Sequence, residues 1–286
     1  MALNFASKLV DRFRREVLTP PAEDFHVLNG LRGLSAYFVV CFHVAMFSGN
    51  FPIRASTAEL NWFHRSINGF WVGLDVFYVL SGFLIGRILM LSLKNTGTVE
   101  FWSFFTRRSM RIFPAYYFIL TLAIFWYLRY ELQDFGFFMM GGSWNELVKN
   151  SWQNYTYTLN YFFGAGEANP MPWAWSLCVE EHFYLLLPLC LVFVFQAQKR
   201  GVRPAWLWAL MLIPFGLRAL QYKLNPSIVL LEGFYYRSHN RFDEIWYGVL
   251  VAYYYVHHHD AFERLVQKVG NFTWIAGVAL IGSIWI

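Results

Sequence analysis

LNGLRGLSAYFVVCFHVAMF, residues 28–47, is an apolar run long enough to cross a bilayer, yet it carries Arg32 and His43. An α-helix turns about 100° and rises about 1.5 Å per residue, so these side chains lie almost on one face, roughly 16 Å apart along the axis. One helix thus offers a fixed cation near one membrane edge and a titratable base deeper in. Ionisable groups inside lipid are costly and tend to mark binding sites or transport paths. The plainer reading of His43 is a hydrogen bond to a neighbouring helix.

With 57% hydrophobic, 21% aromatic and 14% charged residues among 286, the chain is too apolar for an ordinary soluble domain. The predicted fold class is all-α, a polytopic transmembrane helix bundle. Runs at 27–47, 70–92, 113–130, 174–195, 205–222, 242–256 and 271–286 predict about seven spans, some of them short. A more polar stretch, 147–164, reads as a helix lining a wet cavity or lying in the interface. Residues 1–26 form a separate cytoplasmic arm, amphipathic and cationic, that ends at Pro20 and Pro21; residues 27–286 form the membrane domain. Cys41, Cys178 and Cys190 show no metal-ligand spacing, so neither a zinc site nor a disulfide framework is expected, and no metal is called for. No nucleic-acid partner is expected either.

Lys8, Arg12, Arg14 and Arg15, then Lys94, Arg107, Arg108 and Arg111, then Lys199, Arg200 and Arg203 crowd alternate connections. The positive-inside rule places these, and the N-terminus, in the cytoplasm. Further polar groups interrupt the spans. Asp75 lies near the outer end of the second, with Gly73, Gly82 and Gly86 offering close helix contact. Arg108 and Arg111, three apart, share a face ahead of Pro114, which suits a helix start. Glu180 and Glu181 sit inside the fourth span, and Arg237, His239, Arg241 and Asp243 gather at the mouth of the sixth. If each span starts at a membrane edge, His43 lies roughly 24 Å up a core about 30 Å thick, level with Asp75 and slightly above the two glutamates. Arg32, Arg108 and Arg111 then line the inner rim.

Four blocks in this order, Arg32 with His43, GLDVFYVLSGFLI, RRSMRIFPAYY and WSLCVEEHFYLLLPL, resemble the membrane acyltransferase 3 family. The resemblance implies a bacterial integral membrane O-acyltransferase in the inner membrane, using cytoplasmic acyl-CoA, often acetyl-CoA, to modify cell-surface or exported glycans. It implies that His43 is catalytic with Arg32 as its companion, that Arg108 and Arg111 hold the CoA phosphates, and that Glu180 is the acid of the fourth block. Asn29 stands where the family usually has Asp. The family also continues through about three more spans beyond a bundle of this length. A truncated, inactive member is therefore one alternative, the chain ending inside an apolar run at Ile286.

Acyl transfer follows chemically. Guanidinium groups grip phosphate in bidentate fashion and stay charged. An imidazole oriented by Asp75 or Glu180 would take the proton of an attacking sugar hydroxyl, the acceptor being a glycan or lipid-linked saccharide. A covalent acyl group on His43 or Cys178 is a second route. Each residue has a plainer role: Arg108 and Arg111 as cytoplasmic anchors, Glu181 as a helix-pairing group, Asp75 as a partner of Arg241 or Arg237. A proton-coupled transporter or flippase would also place acids and a histidine in the membrane. The paired arginines discriminate, because only the acyltransferase needs them for CoA.

Overall fold

The computed structural model describes residues 26–47, 62–130, 144–162, 168–199, 206–226 and 230–283, so the N-terminal arm lies outside the described residues. Helices and the turns between them make up all of these residues. The helices are α1 (His26–Phe47), α2 (Trp62–Gly69), α3 (Val72–Thr96), α4 (Phe101–Tyr130), α5 (Trp144–Tyr155), α6 (Leu159–Phe162), α7 (Trp175–Lys199), α8 (Trp206–Leu224), α9 (Ser238–His257) and α10 (His259–Ser283). A 3₁₀ turn (Pro172–Ala174) leads into α7, and a π-helical turn (Leu230–Tyr235) precedes α9. Every predicted span is helical where it is described. Three stretches, Val27–Ala45, Val72–Thr96 and Pro172–Ala197, are long and apolar enough to cross a membrane, and the protein is a membrane protein.

The centre of the bundle is α3 against α9. Gly82 lies against the backbone of Ile245, Gly248 against the backbone of Val79 and Phe83, and Gly86 against Val249 and Ala252, so the two helices run parallel. A Cβ at Gly82 would collide with the Ile245 carbonyl, and backbone has nowhere to go. Small residues carry such crossings in lipid because close approach maximises dispersion where there is no hydrophobic drive. Gly82→Leu is therefore expected to destabilise the protein by about 1–3 kcal/mol or more, whereas Gly216→Ala, with open space around it, should leave the melting temperature in detergent unchanged or slightly raised. Equal melting of both variants would refute the crossing.

α7 lies alongside this pair, with Tyr78 Oη donating to the Ser176 carbonyl at 3.0 Å. α1 runs antiparallel to α3: Gly73 meets Ser35 and Phe38, and Arg32 lies over the Phe77 ring at 5.2 Å. This register has a consequence for depth. Since residue 32 faces 77 and residues 35–38 face 73, α1 begins beside the middle of α3 rather than at its end.

Two boundaries differ from expectation. Residues 101–112, predicted as a cytoplasmic connection, are already helix, and α4 continues through Pro114. A proline removes one N–H and crowds the preceding turn, a defect that the long exposed helix absorbs. The connection itself is short: Gly97, at φ 76°, caps α3 by donating its N–H to the Leu93 carbonyl. Within the polar stretch 147–164, residues 147–155 belong to α5 and 159–162 to α6. Asn154 is fully buried, donates to the Met171 carbonyl at 3.2 Å and accepts from Tyr116 Oη at its own carbonyl at 3.0 Å. Its amides therefore satisfy backbone groups where the segment packs against the start of α7.

Candidate active site

The first two turns of α3 and of α7, together with α1 and α4, enclose a cavity of about 250 Å³. Arg32, Arg108, Arg111 and Glu180 line it, with Phe77, Tyr78 and Ser176 among the remaining walls. Arg108 and Arg111 share a face of α4, as their spacing requires. Arg108 reaches α7, donating from Nε to Glu181 Oε1 at 3.1 Å and from Nη2 to Glu180 Oε2 at 3.3 Å. Its guanidinium carbon lies 3.3 Å from the centre of the Tyr184 ring. Glu180 is only 5% exposed. Its second oxygen, Oε1, is buried without a hydrogen-bond partner among the described residues, and so is Arg32 Nε. Such orphaned groups are costly, and in a functional cavity they are what a ligand would satisfy.

A second charged group lies on the far side of Tyr78. Arg241, 6% exposed, donates to Asp75 Oδ1 at 2.5 Å, sits 2.8 Å from Glu244 Oε2, and stacks over the Tyr235 ring at 4.2 Å. Nearby, Arg218 holds Asp243 through both nitrogens, at 2.6 and 3.2 Å, and also donates to the Asn240 carbonyl.

The layering predicted from depth is corrected by these contacts. Arg32, Arg108, Glu180 and Asp75 occupy one level, close to the starts of α3 and α7. The prediction took both α1 and α3 to begin at a membrane edge, and the register shift between them removes that premise. His43 does not line this cavity; it lies roughly 16 Å along α1 from Arg32, beyond the first residue of α3. Its Nδ1 is 2.7 Å from the Val39 carbonyl one turn back. A carbonyl only accepts, so Nδ1 carries a proton, and in the neutral ring this leaves the lone pair on Nε2, the tautomer of a base. Asp75 and Glu180, expected as the acids that orient this ring, have their carboxylates on Arg241 and Arg108 instead. Cationic partners at their own level outcompete a more distant imidazole. The plainer role of Asp75, pairing with Arg241, is the one the side chains adopt.

Three participants escaped the sequence reading. Tyr184, one helical turn after Glu180, carried a signal in its i+4 spacing. Arg218, alone in the apolar run of α8, needed a carboxylate and has Asp243. Tyr157, whose ring stacks on Tyr116 of α4 at 4.5 Å and is tilted against Phe113 at 5.3 Å, gave no signal, since its position depends on the turn between α5 and α6.

A family model described as an acyltransferase domain, Acyl_transf_3, matches residues 25–286. Over 187 residues the chain is 28% identical to a Bacillus subtilis (strain 168) protein provisionally named as the peptidoglycan O-acetyltransferase YrhL, covering 65% of this chain and 26% of that one. It is 26% identical over 165 residues to the peptidoglycan O-acetyltransferase OatA of Listeria monocytogenes, covering 58% of this chain and 24% of the relative. A Haemophilus influenzae protein is 29% identical over 215 residues, 73% of this chain and 85% of its own length. The chain thus spans about a quarter of the two relatives named as peptidoglycan enzymes. No solved structure gives a significant match. With its family model covering the described bundle from end to end, this chain belongs to the acyltransferase 3 family.

Proposed function

We infer that this protein is an integral membrane O-acyltransferase that moves an acyl group, acetyl in the first instance, from cytoplasmic acyl-CoA to a hydroxyl of a cell-surface or exported glycan. Peptidoglycan is the favoured acceptor, because relatives carry that name. The observation that carries the reading is a cavity in which three guanidinium groups meet a buried carboxylate oxygen that has no hydrogen-bond partner among the described residues. Three cations, Arg32, Arg108 and Arg111, against two carboxylates, Glu180 and Glu181, leave one positive charge in excess. That balance suits an anion.

In this reading Arg32 and Arg111 take the phosphate oxygens, since neither is in an ion pair among the described residues, and Arg108 adds charge from behind. Acyl-CoA supplies an activated thioester. The roughly 16 Å from Arg32 to His43 along one face of α1 is comparable with an extended pantetheine arm. His43 Nε2 accepts the proton of the acceptor hydroxyl as it attacks. Glu180 Oε1 offers a hydrogen-bond acceptor inside the cavity, and Asp75 acts at one remove by fixing Arg241 between α3 and α9. We place the protein in the bacterial inner (plasma) membrane, N-terminus cytoplasmic, with α1, α3, α4, α7, α8, α9 and α10 as the seven crossings, following the distribution of Lys and Arg; the cavity at the starts of α3 and α7 then lies in the outer half of the bundle, and acyl-CoA reaches it from the cytoplasm through the bundle.

The test uses the protein in lipid nanodiscs with [¹⁴C]acetyl-CoA and purified peptidoglycan. The expected result is base-labile label on the glycan, lost in Arg32→Gln. The absence of both glycan transfer and CoA binding would overturn the reading.

A further inference from the structure

Arg108 is the most heavily engaged group of the cavity. A guanidinium grips phosphate or carboxylate bidentately through neighbouring N–H groups, and the Nε/Nη2 edge is one such fork. Here two different carboxylates hold that edge, Glu181 at Nε and Glu180 at Nη2, while Tyr184 covers a face. Arg108 is therefore closed on this edge to an incoming anion. Opening it requires one carboxylate to leave, and a carboxylate that leaves in a half-dry site needs a new donor.

Such a donor lies within electrostatic range of Glu181. Tyr157 is the only non-glycine residue with positive φ, 56°, among the described residues. Its ring is stacked on Tyr116 at 4.5 Å and tilted against Phe113 at 5.3 Å, and its backbone is hydrogen-bonded by His182, next in sequence to Glu181. An aromatic residue held in the left-handed region implies that its surroundings over-determine its position. The Tyr157 hydroxyl is nevertheless buried without a hydrogen-bond partner among the described residues. Burial pushes this phenol up from its ordinary range, and Tyr116 and Glu181 push the same way, so it keeps its proton. A protonated, buried hydroxyl within electrostatic range of a carboxylate, with no partner among the described residues, is a place for that carboxylate to go.

We propose that Glu181 is a two-position anion gate: in the unliganded protein it closes Arg108, and when a phosphate-bearing donor enters it moves to the Tyr157 hydroxyl, freeing the Nε edge. This rests on the reading of acyl-CoA as the donor. Glu180, more deeply buried and part of the cavity wall, stays in place. The gate makes Glu181 a specificity-determining residue: without a phosphate to replace it, nothing repays its departure, and neutral thiols leave Arg108 shut.

Binding to nanodisc-embedded protein by calorimetry tests this, with CoA and with pantetheine, which lacks the phosphates. Glu181→Gln removes the competing charge and is expected to tighten CoA binding about fivefold or more. Tyr157→Phe removes the landing place and should weaken CoA by a similar factor, but should have no effect in the Glu181→Gln background. Pantetheine binding should be the same in all four proteins. Wild-type protein that binds CoA, together with Glu181→Gln at the same or lower affinity, overturns the gate alone. So does a Tyr157→Phe loss of equal size in both backgrounds, which marks a merely structural tyrosine. Should Glu181→Gln not fold, Tyr157→Phe alone decides, by weakening CoA and not pantetheine or by failing to. Wild-type protein that binds no CoA overturns the donor assignment itself.

Discussion

Arg241→Ala should lower the stability of the folded protein by about 3–5 kcal/mol, the range for removing one partner of a buried ion pair. Arg241 is held between Asp75 of α3 and Glu244 of its own helix, at 2.5 and 2.8 Å. Its removal leaves two half-buried carboxylates facing each other without their cation, so one must be neutralised or both must swing out. Lipid around the bundle raises that penalty further. The same guanidinium stacks on Tyr235 and lies 5.5 Å from Tyr78, so its loss also opens the packing beneath the cavity wall. Arg241→Lys keeps the charge but not the planar fork, and should fall between wild type and alanine. The double variant Arg241→Met with Asp75→Asn removes charges in a balanced way and should recover part of the loss. Melting in detergent measures all three. An alanine variant that melts with the wild type would mean that the pair contributes nothing.

That pairing shows what could be read from residues alone and what could not. Arg241 and Asp75 are separated by most of the chain, yet two opposite charges in apolar surroundings need each other, and few partners were on offer. Helix existence was legible for the same kind of reason: an apolar run of span length has one way to satisfy its backbone in lipid. Gly73, Gly82 and Gly86 were legible as contact points, because a residue without a side chain on a spanning helix admits a neighbouring backbone. Which helix approaches was not. That α9 runs parallel to α3, with Gly248 answering Gly82, is a property of the assembled bundle.

The cavity was harder to foresee. Arg108 and Arg111 were placed together by spacing, but spacing says nothing of height relative to another helix. The offset between α1 and α3 is set by Gly73 against Ser35 and by Arg32 over Phe77. Those contacts depend on how two helices slide, a freedom of several residues that apolar composition leaves open. Once the offset is known, Glu180 and Glu181 fall beside Arg108 rather than beside His43. The boundary of α4 was misread for a local reason: Pro114 signals a start, and the tolerance of a long helix for an internal proline overrode it.

His43→Ala should reduce acetyl transfer by about 10²- to 10⁴-fold, the usual worth of a positioned general base, and leave the affinity for CoA unchanged. Arg32→Gln should do the reverse in binding terms, weakening CoA by about tenfold or more, since a charge-assisted bidentate contact is lost. The contrast follows from geometry. Arg32 lines the cavity with Nε unpartnered among the described residues, whereas His43 lies beyond it on the same face of α1. Its Nδ1 is tied to the Val39 carbonyl at 2.7 Å, so the helix itself presets the basic nitrogen and no acid is needed to choose the tautomer. On this account Asp75→Asn alters stability more than chemistry, and Glu180→Gln lowers transfer through the cavity rather than through the imidazole. Transfer rates and CoA dissociation constants, measured on the same nanodisc preparations, separate the two functions. If His43→Ala weakens CoA as much as Arg32→Gln does and slows transfer no further, the imidazole belongs to the binding site. Transfer unchanged in His43→Ala would leave Glu180 as the group in the cavity able to accept the proton.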